Sequence, residues 1–492
     1  MKTKETILRY MTKQFRTLFV LALVLFSVLT VQAQAPVKTQ PRIGGAVFGG
    51  GRMADVGTNT VVTIVNCDTI SAVYGGNDIA GTVAGANGST IAVGTLTGNA
   101  RGVTNGEINI GSVYGGGNGY YKYDNNAPGV AVGTTVLTGR TFSTSVTDVA
   151  GGDSYVSSGT IPSIGKTSIT VNTDFVRIDS LFGGAKNAFI TGTEGNNTYI
   201  DINGGVIYAV FGGNNFGGTL AAAKQVINVD GTKTNTSSSV NLGGTYANGR
   251  AWTSDDSEHG IRYLFGGGNK VSGKTVEIYV YGGQIDTLFG GGNSADVTST
   301  TVNVNVTSPL YTLATSPYTD PATYAYSTTT SVFDIRCLFG GNNAADMSGL
   351  PTLNLTRGGV HNVYGGGNKG VMLAANPYTD NYARESITPT SNTNHKEGAK
   401  RSTNVFVNSA NIIIDTIYGG GQSAGTLHDT YVEIANGKVG VVYGGTNIMG
   451  QIGPTQAGAR RDLAKTNVYI HGGTVYNAVF GASNGLYRCN YL

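Results

Sequence analysis

An aromatic residue followed by Gly and a further small residue recurs twelve times in this chain of 492 residues. In the stretch 284–306, QIDTLFGGGNSADVTSTTVNVNV, that residue is Phe289. The short separations between repeats are 24 to 29 residues, and the longer ones read as the same unit with an insertion. Self-similarity with this period is typical of a solenoid or a propeller. The repeat positions are Phe48, Tyr74, Tyr114, Phe182, Phe211, Phe265, Phe289, Phe339, Tyr364, Tyr418, Tyr443 and Phe480.

The short units predict β-strands. TVEIYVYGGQIDTLFGG, for example, contains an alternating strand, a glycine turn and a second strand before the aromatic corner. A propeller blade needs four strands in about 40 residues, whereas this unit offers two or three in about 25. We therefore predict an all-β, parallel β-helix solenoid of about twelve coils with loop insertions, right-handed by the general preference for right-handed crossovers.

The corner sequence predicts ladders along the solenoid, because each corner stacks about 4.8 Å above the one below. Glycines would supply positive φ and close backbone approach there, and the aromatic residues would stack on each other. The asparagines that follow would hydrogen-bond to each other along a ladder. They are Asn118, Asn214, Asn269, Asn293, Asn342 and Asn368.

The N-terminus predicts export. Basic residues precede an apolar run that ends near Ala33, as in a secretory signal peptide over residues 1–33. We expect a short leader over 34–45 and the repeat domain over 46–492, with no membrane span once the signal is removed. Without residues 1–33 the chain has 27 basic and 28 acidic residues, a net charge of −1. The chain therefore lacks the excess of basic residues that is typical of nucleic-acid-binding proteins.

The first strand of each unit carries the candidate binding residues. If its Val, Ile and Leu side chains point inward, the residues between them point outward. Aromatic rings beside carboxylates suit sugars, although tyrosine is also a good strand former on any exposed sheet. Insertions at both ends of this strand, near 94–108, 231–260 and 308–331 and near 119–162, 371–402 and 448–464, would wall its outer face as a groove. The glycan-contact candidates are Tyr199, Asp201, Glu277, Tyr279, Tyr431, Glu433 and Tyr469.

Motifs for catalysis and metal binding are weak, and we assign no catalytic and no metal-binding residue. The segment 268–275 matches a phosphate-binding loop, but a strand follows it where the chemistry needs a helix. Asp55, Asp296 and Asp346 recur seven residues after the aromatic position. The favoured interpretation is a turn residue that bonds its own backbone. The alternative is a Ca²⁺ ligand, and no other cofactor is expected.

Three triplets precede the corner with the pattern Asp, Ser or Thr, aliphatic. They begin at Asp179, Asp286 and Asp415. They match an O-glycosylation signal of exported Bacteroidota proteins. The favoured interpretation is that a repeat simply copies the same triplet in register.

The repeated [VLI]-[FY]-G-G-G-N with T-x-[VI]-x-[IV]-x-G-G resembles Gly-rich parallel β-helix proteins, adhesin-like or pectin-lyase-like, that Bacteroidota export to the cell surface. The resemblance covers roughly 46–492. Proteins that it resembles include adhesins, lyases and plain spacers. We expect a secreted or cell-surface, non-catalytic adhesin or glycan-contact scaffold, because no Lys or Arg accompanies the outward acids on their strands. Its expected partners are glycans or surface proteins. The alternatives are a polysaccharide lyase or hydrolase on the same fold and a purely structural rod. Because no polar cap follows the last repeat, we also expect end-to-end self-association.

Overall fold

The computed structural model describes most of the repeat domain. The described residues run from 41 to 485, with gaps at 66, 95–107, 120–133, 138–139, 144, 150–152, 158–161, 174–175, 193–195, 232–259, 308, 310–332, 374–401 and 454–463. The predicted signal peptide and most of the predicted insertions lie outside the described residues. Within the described part of the chain, no helix is long and apolar enough to span a membrane.

One parallel sheet, the first sheet, contains the first strand of each unit. In strand after strand its core residues alternate with outward ones, as in TVEIYV, where Val276, Ile278 and Val280 are buried. The strands are β2 (Thr60–Ile64), β5 (Ser89–Val93), β12 (Thr167–Val171), β15 (Asn196–Ile202), β17 (Lys224–Val229), β19 (Thr275–Val280), β21 (Ser299–Asn305), the N-terminal parts of β23 (Leu350–Tyr364), β24 (Ser402–Tyr418) and β25 (Asp429–Tyr443), and β26 (Thr466–Ile470).

A second parallel sheet contains the strands that end at the aromatic corners. The long strands β23, β24 and β25 pass from the first sheet into the second, so that both belong to one continuous hydrogen-bonded sheet. The remaining strands are β1 (Arg42–Phe48), β3 (Thr69–Tyr74), β6 (Ile108–Tyr114), β13 (Val176–Phe182), β16 (Val206–Phe211), β18 (Ile261–Phe265), β20 (Ile285–Phe289), β22 (Ile335–Phe339) and β27 (Thr474–Phe480). All twelve aromatic repeat residues end one of these strands, which confirms the parallel β-helix and its twelve coils.

A third, shorter parallel ladder lies after the corners. It contains β4 (Thr82–Val83), β11 (Ser163–Ile164) and β14 (Phe189–Ile190), and single bridges such as Met347–Met372 continue it in later coils. The predicted insertion over 119–162 contains two antiparallel hairpins, formed by β7 (Thr134–Leu137) with β8 (Arg140–Ser143) and by β9 (Ser145–Val149) with β10 (Asp153–Ser157).

The core is a column of aliphatic side chains between these sheets. Ile200, Ile227 and Ile278 are fully buried Cα partners in neighbouring coils, and the same pattern repeats along the chain. Val, Ile and Leu suit this position because β-branched and aliphatic side chains pack well on a pleated surface. Because each coil repeats the pattern of its neighbour, one continuous core forms.

The corner aromatic residues form one unbroken ladder outside that aliphatic column. Neighbouring rings from Phe48 to Phe480 are stacked with centroids 4.4–5.0 Å apart and interplanar angles of 2–14°. The predicted aromatic ladder is therefore confirmed. Each stacked pair adds about 0.5–1.5 kcal/mol beyond the burial of its area.

The corner glycines are required for close approach, while positive φ belongs to other glycines. A Cβ on Gly290 would lie 2.3 Å from the carbonyl oxygen of Gly340 in the next coil. Positive φ occurs instead at the turn between the first and second sheets, for example at Gly205 (φ 86°) and Gly283 (φ 84°). The predicted role of positive φ at the corners is therefore wrong, because the stacked carbonyls alone exclude a side chain there.

Two separate asparagine positions follow the glycines, and the sequence prediction merged them. The outer position forms the predicted ladder. In it, Asn269, Asn293, Asn343 and Asn368 each donate a 2.8 Å hydrogen bond to the asparagine of the preceding coil. Asn214 and Asn342 occupy the position one residue earlier and are fully buried. The side-chain oxygen of Asn342 accepts a hydrogen bond from the backbone N–H of Gly292 (2.8 Å), and that of Asn214 accepts one from the backbone N–H of Ala185 (2.9 Å). Asn214 and Asn342 therefore bond to the backbone of a neighbouring corner and are not part of the ladder.

Hydroxyl groups at the start of most first-sheet strands donate to the corner carbonyls, while Gln225, Val276 and Pro351 take this position in three strands. The Oγ1 atoms of Thr167, Thr198 and Thr300 donate to the carbonyl oxygens of Gly183, Gly212 and Gly340, at 2.6, 2.9 and 2.7 Å. These threonines are buried. A buried carbonyl needs a hydrogen-bond partner, which explains why Thr opens so many of the repeat units.

Candidate functional site

The outer face of the first sheet arranges polar and aromatic side chains in rows. One register position is shared by residues in eight consecutive strands, and we refer to these residues as the outer row. They are Asp201, Asn228, Tyr279, Asn303, Asn354, Phe406, Glu433 and Tyr469. All eight are partly exposed. At about 4.8 Å per strand, the row extends for roughly 34 Å. A parallel row beside it carries Tyr199, Glu277 and Tyr431.

The lower patch of this face brings four of the predicted residues together. Tyr199 and Asp201 lie two strands below Glu277 and Tyr279, and β17 between them contributes Lys224 and Asn228. The amide of Asn228 donates to the hydroxyl of Tyr199. Lys224 Nζ lies 2.6 Å from Glu277 Oε1. No Lys or Arg lies on the strands of these acids themselves, but Lys224 reaches Glu277 diagonally from the neighbouring strand.

The environment of the lower patch raises the pKa of Asp201 above the value that an aspartate has in water. Burial raises the pKa of this carboxyl group, and the nearby charge of Asp230 raises it further, while the amide of Asn203 acts in the opposite direction. Burial also raises the pKa of Tyr199 and of Tyr279. The patch thus holds phenol groups, which act as donors at neutral pH, next to carboxylates and amides, which accept and donate.

The upper patch contains the other three predicted residues, but Tyr431 is not accessible. Its side chain is 0% exposed, against the expectation of an outward, exposed ring. The rings of Phe406 and Tyr469 lie on either side, with centroids 5.8 and 5.3 Å away. The Tyr431 hydroxyl donates to Glu433 Oε2 (2.8 Å), and Glu433 Oε1 lies 3.6 Å from His471 Nε2. Tyr431 therefore supports the patch from beneath, and its neighbours form the surface.

Amide groups connect the two patches. Asn354 donates to the side-chain oxygen of Asn303 (2.9 Å) in the strands between Tyr279 and Phe406. The outer row is consequently continuous, with a carboxylate or an aromatic ring at each end and amides between them. The insertions that we expect to wall this face lie outside the described residues, apart from the two hairpins.

The recurring corner aspartates join neighbouring coils. Oδ1 of Asp55, Asp296 and Asp346 accepts from the backbone N–H of Thr82, Ser348 and Val371, at 2.8, 3.0 and 2.8 Å. We expected them to bond their own turn; they instead bond the next coil, because stacking places its backbone within reach. Among the described residues, no cluster of three or more His, Cys, Asp or Glu could hold a metal ion.

The second sheet carries a row of mostly charged residues, of which the sequence predicted only the three in-register aspartates. Each member directly follows one of the core residues that pair from Ile178 to Ile414. We refer to these residues as the charged row; they are Asp179, Tyr208, Arg262, Asp286, Arg336, His361 and Asp415. The signal that could have found it is the recurrence of acidic and basic residues at one repeat position, directly after the first core residue of the second strand.

Two acids in the charged row, Asp286 and Asp415, contact arginine or histidine side chains from neighbouring coils. Asp286, 1% exposed, lies between Arg262, whose Nε is 3.8 Å from Oδ2, and Arg336, whose Nε contacts Oδ1. The hydrogen bond to Asp286 raises the pKa of Arg336. His361 Nδ1 lies 2.6 Å from Oδ2 of Asp415, which is 2% exposed. These contacts link neighbouring coils through the buried carboxylates of Asp286 and Asp415.

Burial also bears on the predicted glycosylation triplets. Asp179, Asp286 and Asp415 are nearly fully buried, while the residues after them, Ser180 and Thr287 among them, are partly exposed. The Thr287 hydroxyl donates to Asp286 Oδ2 (3.1 Å). A structural role for these aspartates therefore explains why the triplets recur.

Comparisons with models of known protein families, with curated protein sequences and with solved structures found no match for this chain.

Proposed function

We propose that this protein is a secreted or cell-surface scaffold that binds an extended glycan, without turning it over, along the outer row of the first sheet. The observation that carries the proposal is the row itself. Eight partly exposed side chains in register present rings, amides and carboxylates along one line. A polysaccharide likewise repeats its chemistry along one line.

The side-chain chemistry of the row supports a sugar as ligand. The rings of Tyr279, Phe406 and Tyr469 offer apolar faces for the C–H faces of sugar rings, and amides and carboxylates take up hydroxyl groups on the rim. Two strand spacings amount to roughly 10 Å, about the length of an extended disaccharide unit. Successive disaccharide units would then meet outer-row positions two coils apart.

Charge in the lower patch supports binding without turnover. The basic group beside Glu277 is Lys224, which forms an ion pair with it. A lyase or hydrolase needs an acid and a base that are poised to exchange protons with substrate. A lysine held by a carboxylate serves better as a hydrogen-bond donor to a ligand than as a base.

The experiment is a glycan-array screen of the purified protein over plant, mucin and bacterial glycans, followed by titration calorimetry with the best ligand. Tyr279→Ala removes a central ring of the outer row, and Asn354→Ala removes an amide. Each should weaken binding by about tenfold or more, the loss expected for one buried stacking or hydrogen-bond contact. The matched control is Tyr263→Ala, which removes a partly exposed tyrosine from the second sheet.

Three results would contradict the proposal. One is that no glycan binds the folded protein, and another is that Tyr279→Ala and Tyr263→Ala weaken binding equally. The third is the appearance of new reducing ends or unsaturated products on prolonged incubation, which would favour the lyase or hydrolase alternative.

A further inference from the structure

The two end strands of the second sheet, β1 and β27, share a feature that the strands between them lack. Two residues separate Ile43 from Ala46 in β1, and two separate Val475 from Ala478 in β27. One residue stands at this place in every other second-sheet strand within the described part of the chain. Both end strands also lead into the corner with the sequence Ala-Val-Phe-Gly. The strands β1 and β27 therefore match each other residue for residue, although they lie at opposite ends of the sheet.

The end at β27, which we call the top, exposes apolar groups that are covered in the coils before it. Val479 is 46% exposed, whereas its register partner Val442 and the equivalent residues back to Val73 are fully buried. Phe480 is 47% exposed and, among the described residues, stacks only on Tyr443. The aliphatic core and the ring ladder are thus both open at the top.

Backbone hydrogen bonds between the corners all run in one direction along the solenoid. The N–H of the first corner glycine donates to the carbonyl oxygen of the aromatic residue in the next coil, as from Gly444 to Phe480 (2.8 Å). Among the described residues, the N–H of Gly481 at the top has no such acceptor, and the carbonyl group of Phe48 at the bottom has no such donor. The top of one molecule and the bottom of another are therefore complementary, while two tops are not.

Two corner positions fit the same arrangement. A Cβ on each earlier first corner glycine, from Gly49 to Gly444, would lie 2.0–2.7 Å from the carbonyl oxygen of the glycine in the next coil. A Cβ on Gly481 would meet nothing within 4 Å, so a second molecule's corner is what would require glycine there. In the outer asparagine ladder, Asn484 donates to Asn447 (3.0 Å) and keeps its side-chain oxygen as an acceptor. The equivalent residue at the bottom is Arg52, which is exposed and whose guanidinium group is a donor.

We propose that this face binds a second copy of the chain, whose β1 pairs with β27 so that molecules stack head to tail. The contact continues the interface that joins successive coils within one chain, with the same sheet, ring ladder and asparagine ladder. Because its two surfaces differ, it leaves one free end on each molecule and builds an open-ended filament. It does not depend on glycan binding by the outer row. Ile43, Ala46, Val47 and Phe48 of one molecule lie over Val475, Ala478, Val479 and Phe480 of the other, the register in which β1 and β27 pair within the chain.

The first test follows the mass of the purified protein by sedimentation velocity as its concentration rises. The mean mass should pass that of a dimer without a plateau, because each added molecule offers a new end. Gly481→Ala should weaken association by about tenfold or more, since the added methyl group meets the corner carbonyl of the next molecule. Gly165→Ala is the matched control, because a Cβ there also meets nothing within 4 Å and lies away from both ends. A protein that stays monomeric, or a Gly481→Ala variant that associates as the control does, would overturn the proposal.

A mixing experiment tests the direction of the contact. Val479→Glu places a charge on the top and Val47→Glu places one on the bottom, so each variant alone should remain a monomer. A 1:1 mixture should form dimers and nothing larger, because one open top and one open bottom remain. Leu373→Glu, at a 41% exposed position between the ends, is the control and should associate as the unchanged protein does. Circular dichroism shows whether each variant is folded, and Gly481→Ala decides the question if one is not. A mixture that stays monomeric, or a Val47→Glu variant that dimerises alone through two tops, would contradict head-to-tail stacking.

Discussion

The hydroxyl of Tyr431 donates a 2.8 Å hydrogen bond to Glu433 two residues further along the same strand, from a position with no exposed surface. Burial is the main reason that the pKa of Tyr431 is raised, and the Glu433 carboxylate raises it further. Tyr431 thus links the upper patch to the sheet beneath it.

Replacing Tyr431 should therefore affect stability more than ligand binding. Tyr431→Phe keeps the ring but removes a hydrogen bond to a charged group, at a cost of about 1.5–3 kcal/mol. Urea unfolding followed by circular dichroism measures the change. Tyr279→Phe is the control, because its hydroxyl is 3.4 Å from Glu277 and the residue is partly exposed. Equal loss in both variants would contradict the structural role of Tyr431.

A ring from the middle of the aromatic ladder should be among the most costly to remove. Phe289 is 3% exposed and stacks on Phe265 and Phe339, at 5.0 and 4.7 Å. Phe289→Ala should lower the free energy of unfolding by about 3–5 kcal/mol, since it leaves a cavity and breaks two stacks. The measurement is the melting temperature of Phe289→Ala, compared with that of a control variant, Phe216→Ala, at an exposed corner position. A melting temperature of Phe289→Ala no lower than that of the control would show that the ladder does not stabilise the fold.

The sequence predicted the parts of the fold that repeat. A ring at Phe289 and another at Phe339 lie at equivalent places in their units, and stacking follows from that equivalence. The outward direction of Tyr199 and Glu277 followed in the same way from the two-residue period of a strand. For these features the spacing of residues along the chain is sufficient.

Contacts that cross between coils at an angle were not predictable. Lys224 reaches Glu277 from the neighbouring strand and from two residues out of register, so no spacing in the sequence marks the pair. The burial of Tyr431 depends on its neighbours Phe406 and Tyr469. The two-residue period of a strand predicts only that Tyr431 points outward, and does not predict that other rings cover it. The charged row as a whole was missed because strict alternation of inward and outward residues ends there, as at Ile178 and Asp179, which are both buried.

Asp201 should reduce the stability of the fold at neutral pH. Because its pKa is raised in the folded protein, the folded state binds more protons than the unfolded state between the two pKa values. Stability is therefore present below the usual pKa of an aspartate, about 3.9, and falls as pH rises through the folded value. Asp201→Asn should raise the melting temperature near neutral pH and change it little at about pH 3, below both pKa values.

Repeating the melting curves at raised salt separates this effect from a general change in surface charge, because salt screens exposed charges more than partly buried ones. An Asp201→Asn variant that melts below the unchanged protein at neutral pH would contradict the prediction. If the variant is more stable and also loses glycan binding, Asp201 is a group retained for function at a cost in stability.

His428 gives the opposite dependence on pH. It is fully buried, and burial lowers its pKa, against the effect of the backbone carbonyl of Asp429, which lies 2.9 Å from Nδ1. The folded state therefore binds fewer protons than the unfolded state. The stability from a neutral His428 is fully present above its usual pKa, about 6.5, and is lost as pH falls from there through the folded value. His428→Gln, which cannot be protonated, should flatten the fall in melting temperature between about pH 7 and pH 5. The difference between the two melting curves isolates His428 from the other histidines, and parallel pH profiles would contradict the prediction.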